Sequence, residues 1–159
     1  MSDYYARTAK MLDNGPAFAT EQDRRNEDRI QAVLEAAWNI KLHRYEARYE
    51  MIDWYGVRDG RVVVHVELKS RSHPAGRYPT VYLNFRKWNA LMMSYIYTAV
   101  PSLFVVRFAD GEVRWIDIRE VNPQPLEVGG CNRLVKSKTD REPVIQVPVA
   151  EMHRLGRAG

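Results

Sequence analysis

Glu67 and Lys69 stand one residue apart at the end of a valine-rich run, Val62-Val63-Val64-His65-Val66. Alternate side chains of an extended strand share a face, so Glu67 and Lys69 project together while Val64, Val66 and Leu68 turn toward a core. Alone, Glu-x-Lys is a common pattern and reads as a salt-bridging pair on an edge strand. Asp53 supplies a second acid, fourteen residues before Glu67 and across the hairpin signal Asp59-Gly60. Its position depends on register. A two-residue turn pairs Arg58 with Arg61 and hence Asp53 with Val66, which sets Asp53 and Glu67 on opposite faces. A three-residue loop with a bulge pairs Val57 with Arg61 and Asp53 with His65. Glu67 then becomes the diagonal neighbour of Asp53 on one face, about 7–8 Å away at the backbone. Two carboxylates so placed can bridge one divalent ion.

Glu27 is a third acid. It precedes Ile30 by three residues and Leu34 by seven, so it lies along the apolar face of a helix. A carboxylate there needs a partner. A basic side chain, backbone amides or a shared role with Asp53 and Glu67 would each provide one. Several familiar sites are missing: the sequence holds no Gly-x-Ser-x-Gly elbow, no phosphate-binding Gly-x-x-x-x-Gly-Lys-Ser/Thr and no Gly-x-Gly-x-x-Gly. His43, His65, His73 and His153 do not pair at metal-ligand spacing, which disfavours zinc hydrolysis.

The elements that must position these acids follow from periodicity. Residues 1–20 are weakly periodic, contain Asn14-Gly15-Pro16 and read as an arm. A helix is predicted over 21–41, with Ile30, Val33, Leu34, Ala37 and Trp38 at three- and four-residue spacing. Strands are predicted over 44–50, 51–57 and 61–70, and a short one over 81–83. A second helix covers 84–98, with Phe85, Trp88, Leu91, Met92 and Tyr95 on one face. Strands over 103–108 and 113–118 follow, joined at Asp110-Gly111, and a last one over 144–147. This order predicts an α/β domain with a mixed sheet.

At 159 residues the chain has the length of one domain. It has no apolar run long enough for a membrane span and no signal-peptide layout at its start, and its one cysteine, Cys131, excludes an internal disulfide. The expected location is the cytoplasm. The net charge of +4 is unevenly spread: 68–109 and 128–139 contain no acid but hold Lys69, Arg71, Arg77, Arg86, Lys87, Arg107, Arg133, Lys136 and Lys138. Such stretches suit a polyanion partner, and equally a solvated basic surface. Arg86 and Lys87 open the second helix, where exposed amides also favour phosphate. Tyr78, Tyr82 and Tyr97 are candidates to stack on unpaired bases, whereas Tyr95 suits the core.

Taken in chain order, Glu27 on a helix, Asp53 on a second strand, Glu67-Leu68-Lys69 on a third, then helix, strand and strand resemble the PD-(D/E)xK nuclease superfamily. The resemblance spans 21–118. Ile52 stands where many members have proline. The segments 104–118 and 142–145 are similar to small bacteriophage members, for which the compartment is the host cytoplasm. The resemblance implies a restriction-endonuclease-like αβββαβ core over 21–120, with 121–159 as a basic loop and C-terminal extension packed on it. It implies that Asp53, Glu67 and the Leu68 backbone carbonyl ligate Mg²⁺ or Mn²⁺, with Glu27 acting through water. Lys69 would orient the attacking water and offset phosphate charge. It further implies a DNA endonuclease, structure-selective in the manner of a resolvase, acting on duplex or branched DNA. Arg71, Arg77, Arg86, Lys87, Arg133, Lys136 and Lys138 would be its phosphate contacts, and paired cuts on a duplex would favour a homodimer. The alternative is a non-cleaving nucleic-acid-binding or host-interaction phage protein that retains the fold.

Overall fold

A computed structural model describes residues 21–45, 51–129 and 142–157. Helix α1 (Glu21–Trp38) ends at Asn39, whose φ of 50° is the left-handed conformation that asparagine tolerates at helix ends. The chain can then turn at once into strand β1 (Lys41–Arg44), so this strand starts earlier than its sequence pattern suggests. The Glu35 carboxylate accepts the Leu42 amide at 2.8 Å and fastens β1 to α1. That hydrogen bond is also the main reason the Glu35 carboxyl is held below its ordinary pKa.

Strands β2 (Trp54–Arg58) and β3 (Arg61–Ser70) form a hairpin around Asp59 and Gly60, with φ of 50° and 72°. Both central residues of this two-residue turn are therefore left-handed, which matches the twist of the flanking strands. Arg58 pairs with Arg61 and Val57 with Val62, but Gly56 pairs with Val64. Val63 is the extra residue of a bulge. Beyond it Tyr55 faces His65 and Trp54 faces Val66. This register differs from both sequence-based alternatives, because the tight turn and the bulge occur together in one hairpin.

β3 continues into a parallel pairing with β5 (Ser102–Arg107), which is followed by antiparallel β6 (Glu112–Asp117). Between them lie β4 (Thr80–Asn84) and helix α2 (Phe85–Thr98). β3 is already flanked by β2 and β5, so β4 has no free edge there and pairs with β8 (Glu142–Pro148) instead. The tail adds β7 (Leu126–Gly129) beside β8 and β9 (His153–Arg157) beside β6. The result is a six-stranded mixed sheet in the order β1-β2-β3-β5-β6-β9 and a three-stranded sheet in the order β4-β8-β7.

Two apolar layers sandwich the larger sheet. On one face Ile30 and Leu34 of α1 pack with Leu42, Trp54, Val64, Val66, Leu68 and Val105. On the other, Phe104, Val106 and Ile116 pack with Leu91 of α2 and with Val81, Leu83, Ile145 and Val147 of the small sheet. This is the mixed-sheet, helix-flanked arrangement of the restriction-endonuclease-like fold. Among the described residues no helix is long and apolar enough to cross a membrane.

Candidate active site

Val64, Val66 and Leu68 belong to the α1 layer, so the intervening His65, Glu67 and Lys69 face α2. Trp54 also belongs to the α1 layer. Asp53, just before the first paired residue Trp54, lies beside Glu67 on this face, and one lysine ammonium contacts both acids. The bulge at Val63 makes this possible: it shifts the pairing by one residue and turns the expected diagonal into a direct juxtaposition.

A third side chain closes the group. Lys87, the third residue of α2, places its ammonium 2.6 Å from Asp53 Oδ1 and 3.0 Å from Glu67 Oε2. The Lys69 ammonium lies 3.2 Å from the other Glu67 oxygen. Glu67 is fully buried, while Asp53 and Lys69 each keep about a third of their side-chain surface in solvent, at 34% and 35%. The cluster is therefore closed at Glu67 and open at the other two. Burial, followed by the Asp53 carboxylate, pushes Glu67 up to about 7. Burial also pushes Asp53 up, but the Glu67 carboxyl and the two ammonium groups outweigh it and hold Asp53 below its ordinary value. For Lys87, burial favours the neutral amine, and the two carboxylates reverse that and raise it. Two carboxyls sharing one site are thereby driven apart: Glu67 retains a proton toward neutrality and Asp53 stays ionised.

The donor set suits a hard cation. Magnesium-class ions take oxygen ligands. The buried Glu67 carboxyl meets the Asp53 carboxyl and two ammonium groups at 3.0 and 3.2 Å, so the paired acids present their oxygens to positive charge. An ammonium already occupies the cation position between the acids. Among the described residues no group of three or more His, Cys, Asp or Glu comes together. Leu68 lies in the β3–β5 ladder opposite Val105, with its side chain in the α1 layer.

Glu27 is not brought to this pair. It forms an ion pair with Arg44, and the Arg44 guanidinium lies 4.7 Å from the centre of the Trp54 ring, which belongs to the α1 layer. Strand β1 thus supplies the partner that Glu27 needs, on the far side of the sheet from Glu67. Lys87, expected to present its charge to phosphate at the start of α2, is turned inward onto the acids. Arg71 is half-buried and donates to the Tyr82 carbonyl at 2.8 Å, and burial holds its pKa below the ordinary value. Arg77 is exposed, with its guanidinium 5.7 Å from the centre of the Tyr78 ring, and Arg86 is exposed at the start of α2. Arg133, Lys136 and Lys138 lie outside the described residues.

The link between Lys87 and the two acids is the feature that sequence reasoning missed. A signal for it exists. The first turn of α2 contains no acid and carries Arg86 and Lys87, a charge order that opposes the helix dipole and needs an outside anion.

Among solved structures, the chain is similar to Hjc of Archaeoglobus fulgidus, a Holliday junction resolvase from an archaeal hyperthermophile. The match has a TM-score of 0.50 at 11% identity and covers 78% of this chain and 94% of that one. At that identity the likeness concerns the fold alone. No curated protein matches the chain. A family does match, the one described as "Phage putative PDDEXK endonuclease", over residues 14–155. That span takes in α1, both acids, Lys69, Lys87 and all the strands up to the first residues of β9, and by it the chain belongs to this phage branch of the PD-(D/E)xK nuclease superfamily.

Proposed function

We propose that the chain is a divalent-metal-dependent DNA endonuclease that hydrolyses phosphodiester bonds, selective for branched DNA, in phage DNA processing. The observation that carries this reading is the facing of Asp53 and Glu67 across the β2–β3 hairpin, with Lys69 beside Glu67. Superfamily membership supports a divalent-metal mechanism in general terms. The same fold serves a Holliday junction resolvase, which makes branched DNA a substrate class for the test to include.

In this reading Asp53 and Glu67 hold Mg²⁺ or Mn²⁺, with the Leu68 carbonyl as a further oxygen. A bound ion supplies charge stabilisation at the phosphate and a water of lowered pKa. Lys69, about one-third exposed beside Glu67, directs its ammonium at the water and at the charge building on the phosphorane. Glu67 must first lose the proton that burial and Asp53 favour. Arg77 and Arg86, both exposed, and Arg71 meet the DNA backbone, together with Arg133, Lys136 and Lys138. A role for Glu27 through water requires it to leave Arg44.

The test is a cleavage panel with Mg²⁺, Mn²⁺ or EDTA, using four-way junctions, flapped and linear duplexes, single strands and supercoiled plasmid. Metal-dependent cutting with the junction preferred is the expected result. Equal cutting of linear duplex removes the structure selectivity. Binding without cutting of any substrate favours the non-cleaving alternative.

A further inference from the structure

The most closely held side chain in the cluster belongs to Lys87. Its ammonium contacts both acids, 2.6 Å from Asp53 and 3.0 Å from Glu67, whereas Lys69 contacts one of the two, Glu67, at 3.2 Å. The two lysines are therefore not equivalent. Lys69 is placed on the rigid strand that carries Glu67. Lys87 reaches in from a different element, the first turn of α2, on a flexible four-carbon stem that ends at the edge of the cluster with 21% of its side chain in solvent. An ion bound directly to Asp53 and Glu67 needs oxygen contacts of about 2.0–2.1 Å for Mg²⁺, and its position falls where the ammonium now stands. Ion and ammonium repel each other and cannot share that position.

The geometry points to Lys87 as an internal competitor of the metal. It is a positioning residue that holds Asp53 and Glu67 together in the metal-free protein, and it must withdraw for a divalent ion to bind both acids. This rests on the metal-dependent reading above and deepens it, because metal affinity is then set by how firmly Lys87 is held as well as by the ligands. Metal-free, the cluster carries two acids and two ammonium groups. With the ion bound and Lys87 withdrawn, the ion takes over the countercharge. A lysine with a purely structural role predicts that its removal loosens the acids and weakens metal binding. A competitor predicts the opposite sign.

The deciding experiment is calorimetric titration of Mn²⁺ into the full chain, comparing wild type with Lys87→Met, which keeps the unbranched apolar stem and removes the charge, and with Asp53→Asn. Lys87→Met is expected to bind Mn²⁺ about tenfold more tightly or better, since a positive charge leaves the immediate site. Asp53→Asn is expected to lose binding. Equal or weaker binding by Lys87→Met, with wild-type binding intact, overturns the proposal alone. No saturable binding in any of the three overturns it together with the metal-dependent reading. Should Lys87→Met not fold, a Mn²⁺-soaked crystal of the wild-type chain decides. An ion on both acids with Lys87 swung out supports the proposal. An ion on both acids with Lys87 still bridging them overturns it, and an ion absent from both overturns the parent reading as well.

Discussion

The two faces of strand β3 obey different physics. Toward α1, Val64, Val66 and Leu68 join Ile30 and Leu34 in an apolar layer that the Glu27–Arg44 ion pair borders at Trp54. Toward α2, the same strand presents His65, Glu67 and Lys69, and Glu67 is as fully buried as Val66. Each fully buried aliphatic side chain on the first face contributes roughly 1.5–3 kcal/mol through removal from water. The second face gains little net stability, because desolvating ions costs about what their attraction returns. One strand therefore carries both the apolar residues that hold the sheet together and the charged residues to which the proposed chemistry is assigned. The difference teaches that burial alone does not distinguish core from site. The partners do: apolar on one side, opposite charges on the other.

Substitutions on the two faces should be read by different instruments. The largest effect is expected on the charged face. Asp53→Ala and Glu67→Ala should each lower cleavage by about 10³-fold or more, since groups that act as a unit fail together, and Lys69→Ala by about 10²–10³-fold. Thermal melts of Lys69→Ala should move little, whereas Glu67→Ala should also melt lower, because it removes the buried partner of two ammonium groups. Cleavage retained by Lys69→Ala removes that lysine from the chemistry. On the apolar face, Leu34→Ala should cost about 2–5 kcal/mol in denaturant unfolding, because Leu34 is completely buried. Its Mn²⁺ affinity per folded molecule should stay as in wild type. A loss of metal affinity would show that the two faces are coupled.

The pH dependence of stability sharpens the comparison further. Between the ordinary glutamate value of 4.5 and about 7, the folded chain keeps a proton on Glu67 that the unfolded chain has released. This contribution is present in full below about 4.5 and is lost as pH rises through about 7, with a slope of up to about 1.4 kcal/mol per pH unit. The lowered carboxyls of Glu35, Asp53 and Asp117 act on the acid side of that window, and the raised Lys87 far above it. Metal-free urea unfolding between pH 5 and pH 8 should therefore show stability falling with pH in wild type, and less so in Glu67→Gln. A matching slope in both proteins would place the proton elsewhere. Bound metal should reverse the trend, because it selects the ionised carboxylate.

Glu27→Ala should have the smallest effect. A partly exposed ion pair such as Glu27–Arg44 contributes about 1 kcal/mol or less. Cleavage should change by less than about tenfold if Glu27 stays with Arg44, since tenfold corresponds to about 1.4 kcal/mol. A larger loss would mean that Glu27 crosses to the metal side when substrate binds.

How far the site was legible depended on how local its causes are. The shared face of Glu67 and Lys69 follows from strand alternation alone, and the α1 stripe of Ile30 and Leu34 from helical spacing. The facing of Asp53 and Glu67 does not follow from either. It needs the bulge at Val63, beside a position where Gly56 leaves no room: a Cβ there would sit 2.6 Å from Val64 and 2.7 Å from Ile40. That is a tertiary constraint between β2, β3 and Ile40, the residue that leads into β1. The sequence predicts Lys87 as a phosphate contact because its helix start is visible there, while the packing that drives its stem onto the acids is not. β4 looked like one more strand, and only the full occupation of both edges of β3 sends it to β8. β9, with Leu155 as its single aliphatic residue, carried too weak a pattern to be seen.

The bulge at Val63 also sets a parity rule for the hairpin. Facing residues in an antiparallel ladder have position numbers with a constant sum, and a strand's faces alternate with period two. From the turn the sum is 119, as for Arg58 and Arg61, and beyond the bulge it is 120, as for Trp54 and Val66. Only the even sum lets two odd positions, 53 and 67, meet. The loop between the acids can therefore lengthen or shorten by two residues with the pair intact, whereas a change of one residue must create or erase a bulge to keep it. Spacing between these two acids is in consequence a poor guide to kinship among such hairpins, and the evenness of their combined register is a better one.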